Sequence, residues 1–159
     1  MGGSSVSAKL QRYFDTECRQ IDRLMDEYRP LLARIAAREP DIIERSALAT
    51  MLHSFYTGVE NIFKRIAIAS DGGLPGGHNW HRDLLASMAQ PGARRPAALS
   101  LAARLALRPY LDFRHVFRHG YGFDLQWDKM AGLVRGCEET WRLVQRELAE
   151  FMAALDREA

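Results

Sequence analysis

From Met130 to Leu155 the apolar residues return at spacings of three and four: Met130, Leu133, Cys137, Trp141, Val144, Leu148, Phe151 and Leu155. A repeat near 3.6 places them all on one stripe of an α-helix; a strand, with its period of two, scatters them over both faces. Such a helix is stable only when its stripe packs on neighbours, because tertiary burial outweighs intrinsic propensity. The rest of the chain must supply those neighbours, and they must be helices with stripes of their own.

The remaining segments meet that demand. Leu10, Phe14, Cys18, Ile21, Met25, Tyr28, Leu32 and Ile35 mark a first helix from Ser7 to about Arg38. Pro30 removes a backbone bond within it and is expected to kink or split it. Pro40 marks a break, and Asp41 opens a second helix that runs to about Ala69. Its stripe includes Leu48, Leu52, Phe55, Val59, Ile62 and Ile66, with Glu60 and Lys64 expected as an i, i+4 pair on its polar side. The Gly- and Pro-rich stretch Asp71–Gly77 reads as a connector; no Gly-Lys-Ser/Thr follows it, as a P-loop would need.

A short helix is predicted from Asn79 to Ala89, its Leu84, Leu85 and Met88 facing inward and Trp80 and His81 turned toward the arginines downstream. After a loop closed by Pro91 and Pro96, a fourth helix spans Ala97 to His119, with a bend expected at Pro109. Asp124 is placed as N-cap of the last helix. Strand-like alternation and internal repeats are absent from the sequence. Long helices, short connections and one stripe each specify an all-α, antiparallel four- to five-helix bundle. Residues 1–6 read as a flexible N-terminal tail and 7–159 as a single helical domain.

A chain of 159 residues is long enough for a real core, and its two cysteines, Cys18 and Cys137, fall at stripe positions as buried free thiols do. With no disulfide framework, signal peptide or long apolar run, the expectation is a cytoplasmic protein that does not enter a membrane. Net charge is +2, but Gly92–Tyr121 carries Arg94, Arg95, Arg104, Arg108, Arg114 and Arg118 against Asp112 alone, 6 − 1 = +5. A local basic block on a near-neutral chain fits a polyanion-binding face; it also fits a solvated helix surface.

The block ends in Leu111–Tyr121, Leu-Asp-Phe-Arg-His-Val-Phe-Arg-His-Gly-Tyr. At about 100° per residue, Arg114, Arg118, His115, His119 and Asp112 share one arc, and Phe113, Val116 and Phe117 share the other. The polar arc is expected to face solvent and the apolar arc the core, with Asp112 bonded to His115. Gly120 has the place of a helix-ending glycine in the left-handed conformation. Basic side chains in a last helical turn are favoured by the macrodipole whatever their function.

Arg114, four residues, His119, one residue, Tyr121 resembles the Arg-x4-His-x-Tyr signature of HEPN-domain ribonucleases, specifically the HepT-like toxins. His115 stands where that family has a polar residue, often asparagine. The stretch Tyr56–Ile68 is also similar to HepT-like chains. The resemblance implies a homodimeric, metal-independent endoribonuclease without a cofactor, whose paired motifs face one another. It assigns catalysis to Arg114 and His119, with Arg118 and His115 as substrate-binding residues for RNA. Imidazole suits proton transfer near neutral pH, and guanidinium suits the charge building on phosphoryl oxygens. The implied partner is an MNT-type nucleotidyltransferase antitoxin that AMPylates the motif tyrosine, here Tyr121. Two other readings remain open. One is a non-catalytic helical nucleotide- or partner-binding subunit of a nucleotidyltransferase. The other is a metal-binding bundle using His78-x-x-His81 and His115-x3-His119, which requires the two pairs to meet.

Overall fold

The computed structural model describes residues 2–121 and 124–158. They form α1 (Gly2–Ile35), α2 (Ile42–Ser70), α3 (Trp80–Met88), α4 (Leu101–His119) and α5 (Trp127–Glu158). Among the described residues the sole extended pairing is an isolated bridge between Gly92 and Arg95. The all-α expectation therefore holds.

Cross-helix contacts set the directions. Ser7 bonds Asp156, Trp141 Nε1 donates to Asp22, and Arg29 pairs with Glu138, so α1 and α5 run antiparallel. Arg65 lies over the Tyr13 ring and Gly58 faces Ile21, which makes α1 and α2 antiparallel. His53 meets Phe117 while Arg114 meets Thr57 and Glu60, which does the same for α2 and α4. Ser100 bonds Glu147 and Tyr110 donates to the Leu133 carbonyl, which does so for α4 and α5. Helix α2 packs against all four others and buries Leu48, Met51, Phe55, Tyr56, Ile62 and Phe63 completely. At Gly58 a Cβ would sit 2.9 Å from Ile21 Cγ1, so this glycine lets α1 and α2 approach closely.

Several boundaries differ from expectation. Helix α1 begins at Gly2, so residues 2–6, expected as a tail, continue the helix; Met1 lies outside the described residues. Ser7, bonded to Asp156, ties this end to the last turns of α5. Pro30 does not split α1. The turns on either side are both anchored, through Met25 before it and Leu31 and Ile35 after it, and these contacts outweigh one missing hydrogen bond. The inward position after the proline is Leu31, with Leu32 only partly covered. Helix α4 starts later than expected, at Leu101, because Ser100 accepts from the Ala103 N–H as its cap. Helix α5 starts at Trp127, so Asp124 is not its cap. Cys18 and Cys137 are free and buried.

Asp41 does cap α2. Its carboxylate accepts from the Glu44 N–H at 2.8 Å and Glu44 accepts from the Asp41 N–H at 3.1 Å, a capping box. Arg38 grips the same Glu44 at 2.6 and 3.0 Å. The Arg38 bonds first, and then the Asp41 N–H, lower the Glu44 carboxyl from 4.5 to about 2. A depressed folded-state value stabilises the fold above the unfolded value, and the gain is lost as pH falls through the folded one. The stability advantage over Glu44→Gln in urea titrations should therefore be complete above pH 4.5 and shrink toward about pH 2. An advantage that does not change with pH would show that ionisation of Glu44 is not its source.

The link from α2 to α3 turns on Gly72, Gly73 and Gly77, with φ of +80°, +140° and +93°. Beyond α3, Arg95 is buried and bonds both oxygens of Asp71 at 2.8 Å, and it also donates to the carbonyls of Ser87, Gln90 and Pro96. This fixes α3 across the α2–α4 seam. Among the described residues no helix is long and apolar enough to cross a membrane.

Candidate active site

Helices α3 and α4 enclose a cleft of about 450 Å³. From α4 it receives Arg114, His115, Arg118 and His119; from α3 and the residue pair ahead of it, His78, His81 and Arg82. Three arginines and four histidines against Asp112 make it basic. Every Arg and His of the sequence motif lines it, and so do both histidine pairs. The pairs therefore meet in one cleft. Among the described residues, however, no three His, Cys, Asp or Glu side chains are placed to hold a metal ion.

The two arcs of α4 are not divided as expected. Arg114, assigned to the solvent arc, is only 5% exposed, whereas Val116, assigned to the core, is 63% exposed. Position alone does not decide burial; the partner helix does. Helix α2 presents Glu60, itself 2% exposed, and Arg114 turns inward to it. Arg114 Nη2 donates to Glu60 Oε2 at 2.9 Å, Nη1 reaches Thr57 Oγ1 at 3.4 Å, and the guanidinium carbon lies 4.8 Å from the centre of the Tyr56 ring. A buried pair of this kind needs both members, since either one alone is an uncompensated charge. Glu60 is thus not the surface partner of Lys64; Lys64 instead lies 5.3 Å from the centre of the Trp80 ring.

His81 completes the cluster. Its Nδ1 is 2.7 Å from Glu60 Oε2 and 3.0 Å from Arg114 Nη2. Trp80 stacks on its ring at 3.6 Å between centroids. The expectation that Trp80 and His81 turn toward the arginines holds for His81, which touches Arg114 directly.

The last turn of α4 differs in kind. Arg118 and His119 are exposed, and His115 is exposed with its ring 4.8 Å from that of His119 in an edge contact. Asp112, expected to bond His115, pairs with Arg108 at 3.0 Å, one turn back on the same face. His53 on α2 packs edge-on against Phe117. Burial first, then the charges of Arg114 and Arg118, lower its pKa and favour a neutral ring there. Helix α4 keeps its form through His119, and Gly120 leaves it with φ −111° and ψ 164°, extended rather than left-handed. Tyr121 follows at 71% exposure and is not among the described residues that line the cleft.

The basic block is also smaller than its sequence sum. Arg95 and Arg114 are consumed by Asp71 and Glu60, and Arg108 by Asp112. Arg114 lines the cleft from its buried position, and the exposed guanidiniums there are Arg118 and, from α3, Arg82. Glu60 is the residue that sequence reasoning misplaced. Its one available signal was its position among the apolar residues Val59, Ile62 and Phe63, on a helix buried on nearly every side.

The family comparison is specific: a model described as HepT-like protein matches residues 47–155. The chain belongs to the HepT-like protein family. No curated protein and no solved structure matches it.

Proposed function

We propose that this HepT-like chain is the toxin of a toxin–antitoxin pair, a cytoplasmic endoribonuclease that cuts RNA in the α3–α4 cleft without a metal ion. The observation that carries this reading is the shared cleft of Arg114, Arg118, His115 and His119. The RNA 2′-hydroxyl loses its proton and attacks the adjacent phosphorus. The O2′–P bond forms, the P–O5′ bond breaks, and the leaving oxygen takes a proton. His119 transfers one of these protons. Arg118 and His115 hold neighbouring phosphates. Arg114, fixed by Glu60, offers its remaining N–H groups to the phosphoryl oxygens. The products are a 2′,3′-cyclic phosphate and a 5′-hydroxyl. In the test, chelator-treated protein should cut RNA and His119→Ala should not.

On this reading the active form is a homodimer, and an MNT-type nucleotidyltransferase neutralises it. Tyr121 is exposed and stands three residues beyond Arg118. Its phenol oxygen attacks the α-phosphorus of ATP, losing its proton, and pyrophosphate leaves. The added phosphate then competes with RNA for the cleft arginines. Co-expression with a nucleotidyltransferase encoded beside the gene should raise the intact mass by one or more AMP units on Tyr121. Native mass spectra of the same sample should show a dimer. No adduct, or an adduct on another residue, would refute control through Tyr121; a monomer that cuts RNA would remove the second subunit from the mechanism.

A further inference from the structure

Cleavage through the 2′-hydroxyl moves two protons, one off the nucleophile and one onto the leaving oxygen. The Arg-x4-His-x-Tyr motif supplies a single histidine, His119. We propose that His81 is the second proton-transfer residue of the cleft, that Glu60 positions it, and that both belong to the same chain as the motif. The inference rests on the ribonuclease reading above but identifies a residue outside the motif, on a different helix.

His81 Nδ1 cannot serve both of its neighbours. A guanidinium only donates, and a carboxylate only accepts. The shorter contact, 2.7 Å to Glu60 Oε2, requires a proton between the two atoms, because two facing lone pairs would repel at that distance. Nδ1 therefore carries hydrogen and donates to Glu60. The same oxygen, Glu60 Oε2, also accepts from Arg114 Nη2 at 2.9 Å, so the carboxylate stays where His81 needs it. With Nδ1 directed at a buried group, the opposite edge of the ring, carrying Nε2, points away from the core. The side chain is 30% exposed and lines the cleft. Trp80, stacked on one face, holds the ring plane. A carboxylate that fixes the tautomer of an imidazole and leaves its other nitrogen free toward a basic cleft is an arrangement suited to proton transfer.

The placement answers a difficulty in the motif. On a regular helix Arg114 and His119 lie about 140° apart, so they meet a bound phosphodiester from different directions and leave one proton transfer without a motif residue. Helix α4 stays regular there, with Arg114 turned inward and His119 outward. Helix α3 brings His81 against Arg114 in the same cleft that His119 lines. A phosphate bound in this cleft has two imidazoles on its walls, one from each helix. In the step, one neutral imidazole takes the 2′-hydroxyl proton while the other, as imidazolium, gives its proton to the leaving oxygen. Solvent restores both.

Two variants separate role from scaffold. His81→Asn puts an amide N–H near the place of Nδ1 and keeps a donor to Glu60; His81→Gln keeps polarity on the cleft side. Both should melt within a few degrees of the parent. Both should lose at least about a hundredfold in kcat, with KM nearly unchanged and one limb of the pH–rate profile flattened. The charged groups around the ring are Glu60 and Lys64 of α2, Arg114 and His119 of α4, and Arg82 of α3. Glu60→Gln should shift the His81 limb, an effect that simple loosening of the fold would not produce. Long-range nitrogen NMR gives an activity-independent readout, with uridine 3′-monophosphate as probe. The Nδ1–H tautomer and a probe-induced shift at His81 Nε2 are expected. An active parent whose His81 variants keep kcat within threefold, or whose His81 carries its proton on Nε2 and ignores the probe, would overturn the assignment and keep the ribonuclease. An inactive parent whose His81 Nε2 responds would overturn the ribonuclease and retain His81 as a phosphate-facing group.

Discussion

Arg114→Ala should lower the stability of the protein by about 3–5 kcal/mol, the cost of leaving one charge of a buried pair without its partner. For a domain of this size that is a fall in melting temperature of roughly 10 °C or more. On helical position alone the substitution belongs to a solvent-facing arc and should leave the fold intact. The structure reverses that. Glu60, 2% exposed, would lose the guanidinium that neutralises it, and Thr57 and Tyr56 would lose their contact with the same group. Loss of toxicity in Arg114→Ala would therefore not by itself report on catalysis. The double variant Glu60→Met with Arg114→Met separates the effects. Replacing both charges by apolar groups of similar volume should restore most of the stability while activity remains lost. A chemical-denaturation midpoint for Arg114→Ala equal to the parent's would show that the Glu60–Arg114 pair does not hold α2 to α4.

His119→Ala should behave in the opposite way. The side chain is exposed on the last turn of α4, and its ring contact is with His115, also exposed. Surface substitutions away from buried networks usually change stability by less than about 0.5 kcal/mol. Removing a proton-transfer group should cost about 10²–10⁴ in the rate of RNA cleavage. The expected result is a variant with the parent's melting temperature and far-UV spectrum that neither cuts RNA nor slows growth when expressed alone. The parent's cleavage should persist in chelator. A folded His119→Ala protein as active as the parent would remove His119 from the chemistry. Cleavage that requires added metal in the parent would point to a different reaction.

Much of this protein follows from local pattern. The stripes of α1, α2 and α5, the break at Pro40, the Asp41 cap and the buried thiols are all written in spacings of three and four and in side chains that bond their own backbone neighbours. The Arg-x4-His-x-Tyr motif is equally local and is visible in the sequence. The tertiary structure decided which polar residues are buried. A helix repeat gives angles around an axis, but which angle faces the core depends on the neighbour that docks there. Helix α2 is covered on so many sides that its Glu60 had to be taken inside, and Arg114 followed it as the compensating charge. For the same reason Arg95 left the surface for Asp71, twenty-four residues away. His81 joined the cluster because α3 packs on α2 and α4 through Leu84, Leu85 and Met88, with Arg95 tying its end to Asp71. Long-range charge pairing costs nothing in the local pattern and leaves no period in the sequence. It becomes visible when the helices pack and desolvation forces each buried charge to find its partner.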